Sequence, residues 1–97
     1  MKENIKKDQW DSGLFAIEFL EYDYEEKYFL QILTKICTIL NCEWNAKDVL
    51  KELNHFSIEI MLNDSKDNLL LMMDNWSFSA GFSSEEHRDK VFNSLEE

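Results

Sequence analysis

The side chains in this chain that could do chemistry are few, and their spacing argues against catalysis. His55 and His87 are the two histidines. Neither has a second histidine or a cysteine at the short spacing a zinc site needs, and His87 beside Glu86 lacks the second histidine of an HExxH helix. Cys37 and Cys42 form no CxxC. Five positions apart along one helix, they are expected to point in different directions, poorly placed to bridge, as two reduced thiols with Cys37 buried. Cys37 also falls in mid-helix, far from the N-terminus that would lower its pKa, which argues against a Cys–His nucleophile. Asp64, Asp67, Asn68 and Asp74 crowd around two turns without the alternate spacing, central glycine and terminal glutamate of a calcium loop. With Gly13 and Gly81 as the only glycines, there is no phosphate-cradling loop and no dinucleotide fingerprint. Gly81, inside an expected strand, marks a bulge or a close contact. The expectation is no enzyme, no cofactor and no metal.

Charge is more informative. Twenty acidic residues oppose ten basic ones, for a formal net charge of −10. Such a field repels nucleic acid and anionic membranes and draws basic partners. The acids are unevenly placed. From Asp8 to Glu26 run Asp8, Asp11, Glu18, Glu21, Asp23, Glu25 and Glu26 with no base between them, where solubility alone would intersperse the signs. Trp10, Tyr22 and Tyr24 fall within this run. Aromatic anchors beside carboxylates that a partner can desolvate are the material of interface hot spots. The candidate partner-binding residues are therefore Trp10, Asp11, Glu18, Glu21, Tyr22, Asp23, Tyr24, Glu25 and Glu26. The plainer alternative is that Trp10 and Tyr22 cap the core while the carboxylates are solvated or cap a helix. A second acidic surface, interrupted by Lys66, combines Glu59, Asp64, Asp67 and Asp74.

The elements that must position these groups follow from periodicity. A hydrophobic fraction of 44% with 13% aromatics in 97 residues fits one packed domain over 1–97, with 1–9 a frayed leader. Leu14 to Tyr22 alternates Phe15, Ile17 and Phe19 against Ala16, Glu18 and Leu20, a first strand. Asp23 with Glu26 has the form of a capping box. Phe29, Ile32, Leu33, Ile36 and Leu40 then make a helical stripe ending near Asn41. Asn45 is expected to cap a short second helix, ending near Asn54, that buries Val49, Leu50 and Leu53. Phe56 to Leu62 alternates as a strand, and a turn over 64–68 returns the chain as the apolar strand Leu69 to Met73. Trp76, Phe78, Ala80 and Phe82 alternate with serines and Gly81, aromatics inward and serines to water. Ser83 with Glu86 opens a last helix through Val91, Phe92 and Leu95. The expected class is α+β, in the order β-α-α-β-β-β-α, with a four-stranded, mostly antiparallel sheet and helices packed mainly on one face.

Small size, acidity, absent catalytic motifs and the opening KDQWDSGLFAIEFLEYDYEEKYF, an aromatic strand running into a helix, resemble the small acidic immunity proteins that bacteria encode beside polymorphic and contact-dependent toxins. The resemblance implies a protein that binds a cognate toxin domain with a basic surface, often a nuclease, and blocks its active site or an essential surface. The alternatives are a phage-type acidic inhibitor that mimics nucleic acid and, behind it, a small-ligand binder or enzyme using the mixed face of the sheet. No stretch approaches the roughly 20 apolar residues of a membrane span, and the N-terminus lacks a signal peptide's apolar core. The expected place is the cytoplasm, with no direct nucleic-acid or membrane partner. A homodimer is a further expectation, since Leu14, Ala16 and Leu20 leave the first strand's second face partly apolar and an edge strand can pair.

Overall fold

The computed structural model describes residues 4–62 and 67–97. Its centre is one antiparallel sheet of six strands, not four. In chain order these are β1 (Ile5–Gln9), β2 (Phe15–Phe19), β3 (Leu50–Glu52), β4 (His55–Met61), β5 (Asn68–Asp74) and β6 (Phe78–Phe82). In space the order is β1-β2-β6-β5-β4-β3, so the N-terminal hairpin docks on the end of a C-terminal four-stranded meander. Two helices, α1 (Glu26–Leu40) and α2 (Glu85–Glu96), complete the mixed α+β fold.

Cross-strand register assigns every strand residue to a face. Phe15, Ile17 and Phe19 of β2 align with Phe82, Ala80 and the end of β6, and these with Leu69, Leu71 and Met73 of β5 and Phe56, Ile58 and Ile60 of β4. Onto this face α1 lays Phe29, Ile32, Leu33 and Ile36, and α2 lays Val91 and Leu95, all in one continuous core. Phe78 is its aromatic hub, stacked on Phe19 with ring centroids 4.4 Å apart and met by Phe29 at 6.1 Å. Truncating a ring buried like Phe78 or Phe29 costs about 3–5 kcal/mol, since the close-packed surroundings only partly collapse. The opposite face carries Ala16, Glu18, Ser79, Gly81, Leu70, Met72, Ser57 and Glu59 and has no helix over it.

Several sequence-based expectations are corrected. Ile5–Gln9, expected to be a loose leader, is an edge strand paired with all of β2. Its polar residues are held from outside the sheet: Lys7 pairs with Asp89 of α2 at 3.2 Å and sits 5.1 Å above the Phe92 ring. Buried Arg88 donates to the carbonyls of Asp8 at 3.0 Å and Ala16 at 3.3 Å. Both edges of β2 are thus occupied, by β1 and β6, and β1 forms this end of the sheet. The helix expected from Asn45 is a single 3₁₀ turn, Ala46–Asp48, which Asn45 does cap by accepting from the Lys47 N–H at 3.0 Å. The chain then straightens into β3. Val49 is buried as expected, but Leu50 and Leu53 are 59% and 92% exposed, because Leu53–Asn54 is a two-residue hairpin turn with Asn54 in the left-handed region at φ 64°.

Helix boundaries shift as well. Asp23 does not cap α1: the N-cap is Glu25, and no side chain there closes a hydrogen bond. Ser84, not Ser83, caps α2, accepting from the His87 N–H at 3.2 Å; Ser83 instead accepts from the Asn68 N–H at 2.7 Å. Ser79 and Ser57, expected to face water, are buried. Among the described residues no helix is long and apolar enough to cross a membrane.

Candidate functional site

The uncovered face of the sheet becomes a site through one loop and one turn. Between β1 and β2 the chain reverses over residues 10–14, where the Gly13 N–H donates to the Trp10 carbonyl at 2.8 Å and the Trp10 N–H donates to the Leu14 carbonyl at 2.9 Å. Gly13 supplies a φ of 95° that this tight turn requires and side chains resist. The reversal lays one edge of the Trp10 indole against the bare backbone of Gly81. A Cβ on Gly81 would collide with that edge, 2.8 Å from Cη2 and nearer still to Cζ3. The expected close contact at Gly81 is thus identified: the glycine is the seat of Trp10.

At the other end, β5 turns into β6 over Asp74–Ser77. One oxygen of the Asp74 carboxylate accepts from the Trp76 N–H at 2.8 Å and the Ser77 N–H at 2.7 Å. The bond from Trp76, opposed in part by burial and joined by those from Ser77 and the charge of His55, holds the Asp74 carboxyl below its ordinary value of 3.8. An ionised Asp74 therefore shapes the turn that lifts Trp76 away from the body, leaving it 86% exposed. This corrects the expectation that Trp76 continues the inward alternation of β6.

Between these tryptophans lies a concavity of about 440 Å³ lined by Trp10, Glu18, Leu20, Tyr22, Met72 and Trp76 among others. It opens into a second hollow of about 720 Å³ where Glu21, Tyr22, Asp23, Tyr24 and Tyr28 face Trp76. Leu20, Tyr22 and Trp76 belong to both hollows, so the two form one bent groove. Its floor is set by core packing. The Tyr22 ring meets Phe78 at 5.6 Å and its hydroxyl donates to the Asp74 carbonyl at 3.0 Å. Burial first, then the Asp74 charge, raise the Tyr22 pKa, which keeps the phenol protonated and donating. Tyr24 rests on Phe56 at 5.7 Å. The Tyr22 ring therefore caps the core, as the plainer alternative expected, and also lines the groove.

The structure divides the sequence-derived candidates. Trp10, Glu18, Glu21, Tyr22, Asp23 and Tyr24 line the groove. Asp11, Glu25 and Glu26 do not. Asp11 sits exposed in the β1–β2 turn, and Glu26 is ion-paired with Lys51 of β3 at 2.5 Å. Glu18 meets Lys6 at 3.5 Å across the β1–β2 pair, an exposed pair worth at most about 1 kcal/mol and open to competition. Glu21 accepts from the Asn4 amide at 3.0 Å. The base-free run in sequence is thus edged in space by lysines from β1 and β3.

Trp76 and Met72 escaped the sequence reading, and Leu20 was assigned only to a dimer face. A signal for Trp76 exists in Asp74-Asn75-Trp76-Ser77, an Asp whose carboxylate can gather the N–H groups two and three residues on. Of the second acidic surface, Asp64 and Lys66 lie outside the described residues, and Asp67 and Asp74 stand at opposite ends of β5, roughly 20 Å apart by strand rise. Asp67 lies 3.7 Å from His87 Nδ1. Among the described residues no group of three or more His, Cys, Asp or Glu side chains gathers closely enough to hold a metal ion. The groove offers aromatic faces and carboxylates to a ligand, which suits a cation carried on an apolar stem. Comparison of the chain with protein-family models, with curated proteins and with solved structures finds no match, so its chemistry is read from its own residues.

Proposed function

We propose that this chain is a binding protein whose groove receives a basic segment of a partner protein, and that the partner is a toxin domain neutralised as by the immunity proteins the sequence resembles. The observation that carries the reading is Trp76, 86% exposed, at the head of a groove shared with Leu20 and the carboxylates of Glu18, Glu21 and Asp23. A tryptophan held in water by an ordered turn gains most by burial against a partner, and tryptophan leads the residues that dominate interface energies. The carboxylates set the partner's sign. An arginine or lysine stem packs over the face of an exposed ring such as Trp76 with its charge at the acidic rim, where cation–π attraction and ion pairing add. The net charge of −10 steers such a partner from a distance and speeds capture. Binding then blocks the toxin's active site or an essential surface.

The test is co-expression with the product of the adjacent reading frame. Co-purification and rescue of growth are expected. Trp76→Ala should leave the circular dichroism unchanged and weaken the complex by about 30-fold or more, the equivalent of a 2 kcal/mol hot spot. A neighbour that is neither toxic nor bound would overturn the reading.

A further inference from the structure

The two cysteines, expected to diverge along one helix, are brought together by the way α1 ends. Asn41 takes the left-handed conformation at φ 55°. The Cys42 N–H donates back to the Cys37 carbonyl at 2.9 Å and the Asn41 N–H to the Thr38 carbonyl at 3.3 Å. This two-bond ending folds the residue after the left-handed one onto the residue five before it, where an apolar contact ordinarily forms. Here both positions are cysteine, and Cys42 packs against the core cluster that includes Cys37. With standard bond lengths, the 2.9 Å bond keeps the two Cα atoms within about 7 Å even along a straight path. The bent path of a real turn brings them into the 4.4–6.8 Å range of disulfides.

We infer that Cys37 and Cys42 form a reversible dithiol–disulfide site whose oxidant is a low-molecular-weight disulfide such as oxidised glutathione. Cys42 is half-exposed and Cys37 buried, so the reaction enters at Cys42. Its thiolate attacks one sulfur of the small disulfide, the S–S bond breaks, and one thiolate leaves. Cys37 then loses its proton to the departing thiolate or to water and attacks Cys42 Sγ, expelling the second thiolate. The protein loses two protons and two electrons, and the small disulfide is reduced to two thiols. Burial first, then the contact with Cys42, push the Cys37 thiol up to about 12, which makes the closing step the slow one. Closure ties the end of α1 to the connection that leads into β3. The site lies apart from the groove and does not depend on its function.

The test is mass spectrometry of the folded chain held in glutathione buffers of increasing oxidation. The expected result is loss of the mass of two hydrogens per chain, with no retained glutathione, protection of both thiols from alkylation after unfolding, and full reversal by dithiothreitol. Cys42→Ser, a half-exposed position that keeps the fold by circular dichroism, should show no such loss. A stable glutathione adduct on Cys42 with Cys37 still alkylatable, a disulfide-linked pair of chains, or two thiols that stay free throughout would each overturn the assignment.

Discussion

Replacing Gly81 with alanine tests the contact that builds the groove. The added Cβ would collide with one edge of the Trp10 ring, with carbons at 2.8 and 3.2 Å and one closer. β6 cannot yield, since it is hydrogen-bonded on both sides by β2 and β5. The indole must therefore lift off the sheet. Overpacking of this kind costs about 1–3 kcal/mol. Without the indole the sign reverses, because alanine in a strand interior is favoured over glycine by about 0.5–1 kcal/mol. Gly81→Ala should then lower stability by about 1–3 kcal/mol with Trp10 present and be neutral or stabilising beside Trp10→Ala. The coupling between the two sites is about 1.5–4 kcal/mol. Urea titrations of the four proteins measure it, with thermal midpoints as a check at about 4–8 °C per kcal/mol for a chain of this size. Equal effects of Gly81→Ala in both backgrounds would refute the seating of Trp10 on Gly81.

Three further outcomes follow from the same geometry. Charge reversal of Glu21 and Asp23 together should slow association with the partner and reduce its salt dependence in stopped-flow measurements, while reversal of Glu25, which does not line the groove, should change little. The Asp74 carboxyl is more acidic in the fold than its ordinary 3.8, so acid protonates the unfolded chain first. Its contribution to stability is complete above that value and disappears as pH falls through the lower folded value. Asp74→Asn should therefore remove part of the acid sensitivity of stability below about pH 5, read by urea midpoints at each pH. Arg88→Met keeps the buried stem but loses the donations to the Asp8 and Ala16 carbonyls. It should cost about 2–3 kcal/mol and selectively release the β1 amides to hydrogen exchange.

What could be read in advance depended on how local the deciding interactions are. α1 was legible because Phe29, Ile32, Leu33 and Ile36 repeat at helical spacing and meet one surface. β4 and β6 were legible because a half-buried strand must alternate, and β5 as the apolar arm that a polar turn returns beside β4. β1 was not, since Lys6, Lys7, Asp8 and Gln9 carry no apolar alternation; their partners are β2 and, some 80 residues on, Arg88 and Asp89. The segment after Asn45 misled because Val49, Leu50 and Leu53 fit a helical stripe, yet only Val49 finds a core. For the groove, the mixture of acids and aromatics was visible as composition, while its boundary was not. Trp76 and Met72 arrive through strand order. Glu26 is drawn off by Lys51, and Cys42 by the left-handed Asn41, whose backward fold a straight helical reading misses.

The order of strands also sets a timetable for synthesis. β2 pairs with β1 and β6 alone, so the aromatic segment Phe15–Phe19 leaves the ribosome long before Phe78–Phe82 exists to receive it. At about 5–20 residues per second this interval lasts several seconds, and closing so long a loop is slow beside forming the local hairpins of the later meander. During it the nascent hairpin is a sticky strand with one open edge. The carboxylates on either side of that strand, from Asp8 to Glu26, give the waiting segment a like-charge coat that discourages two nascent chains from pairing. The acidity proposed to draw a partner also protects the newborn chain from its own kind.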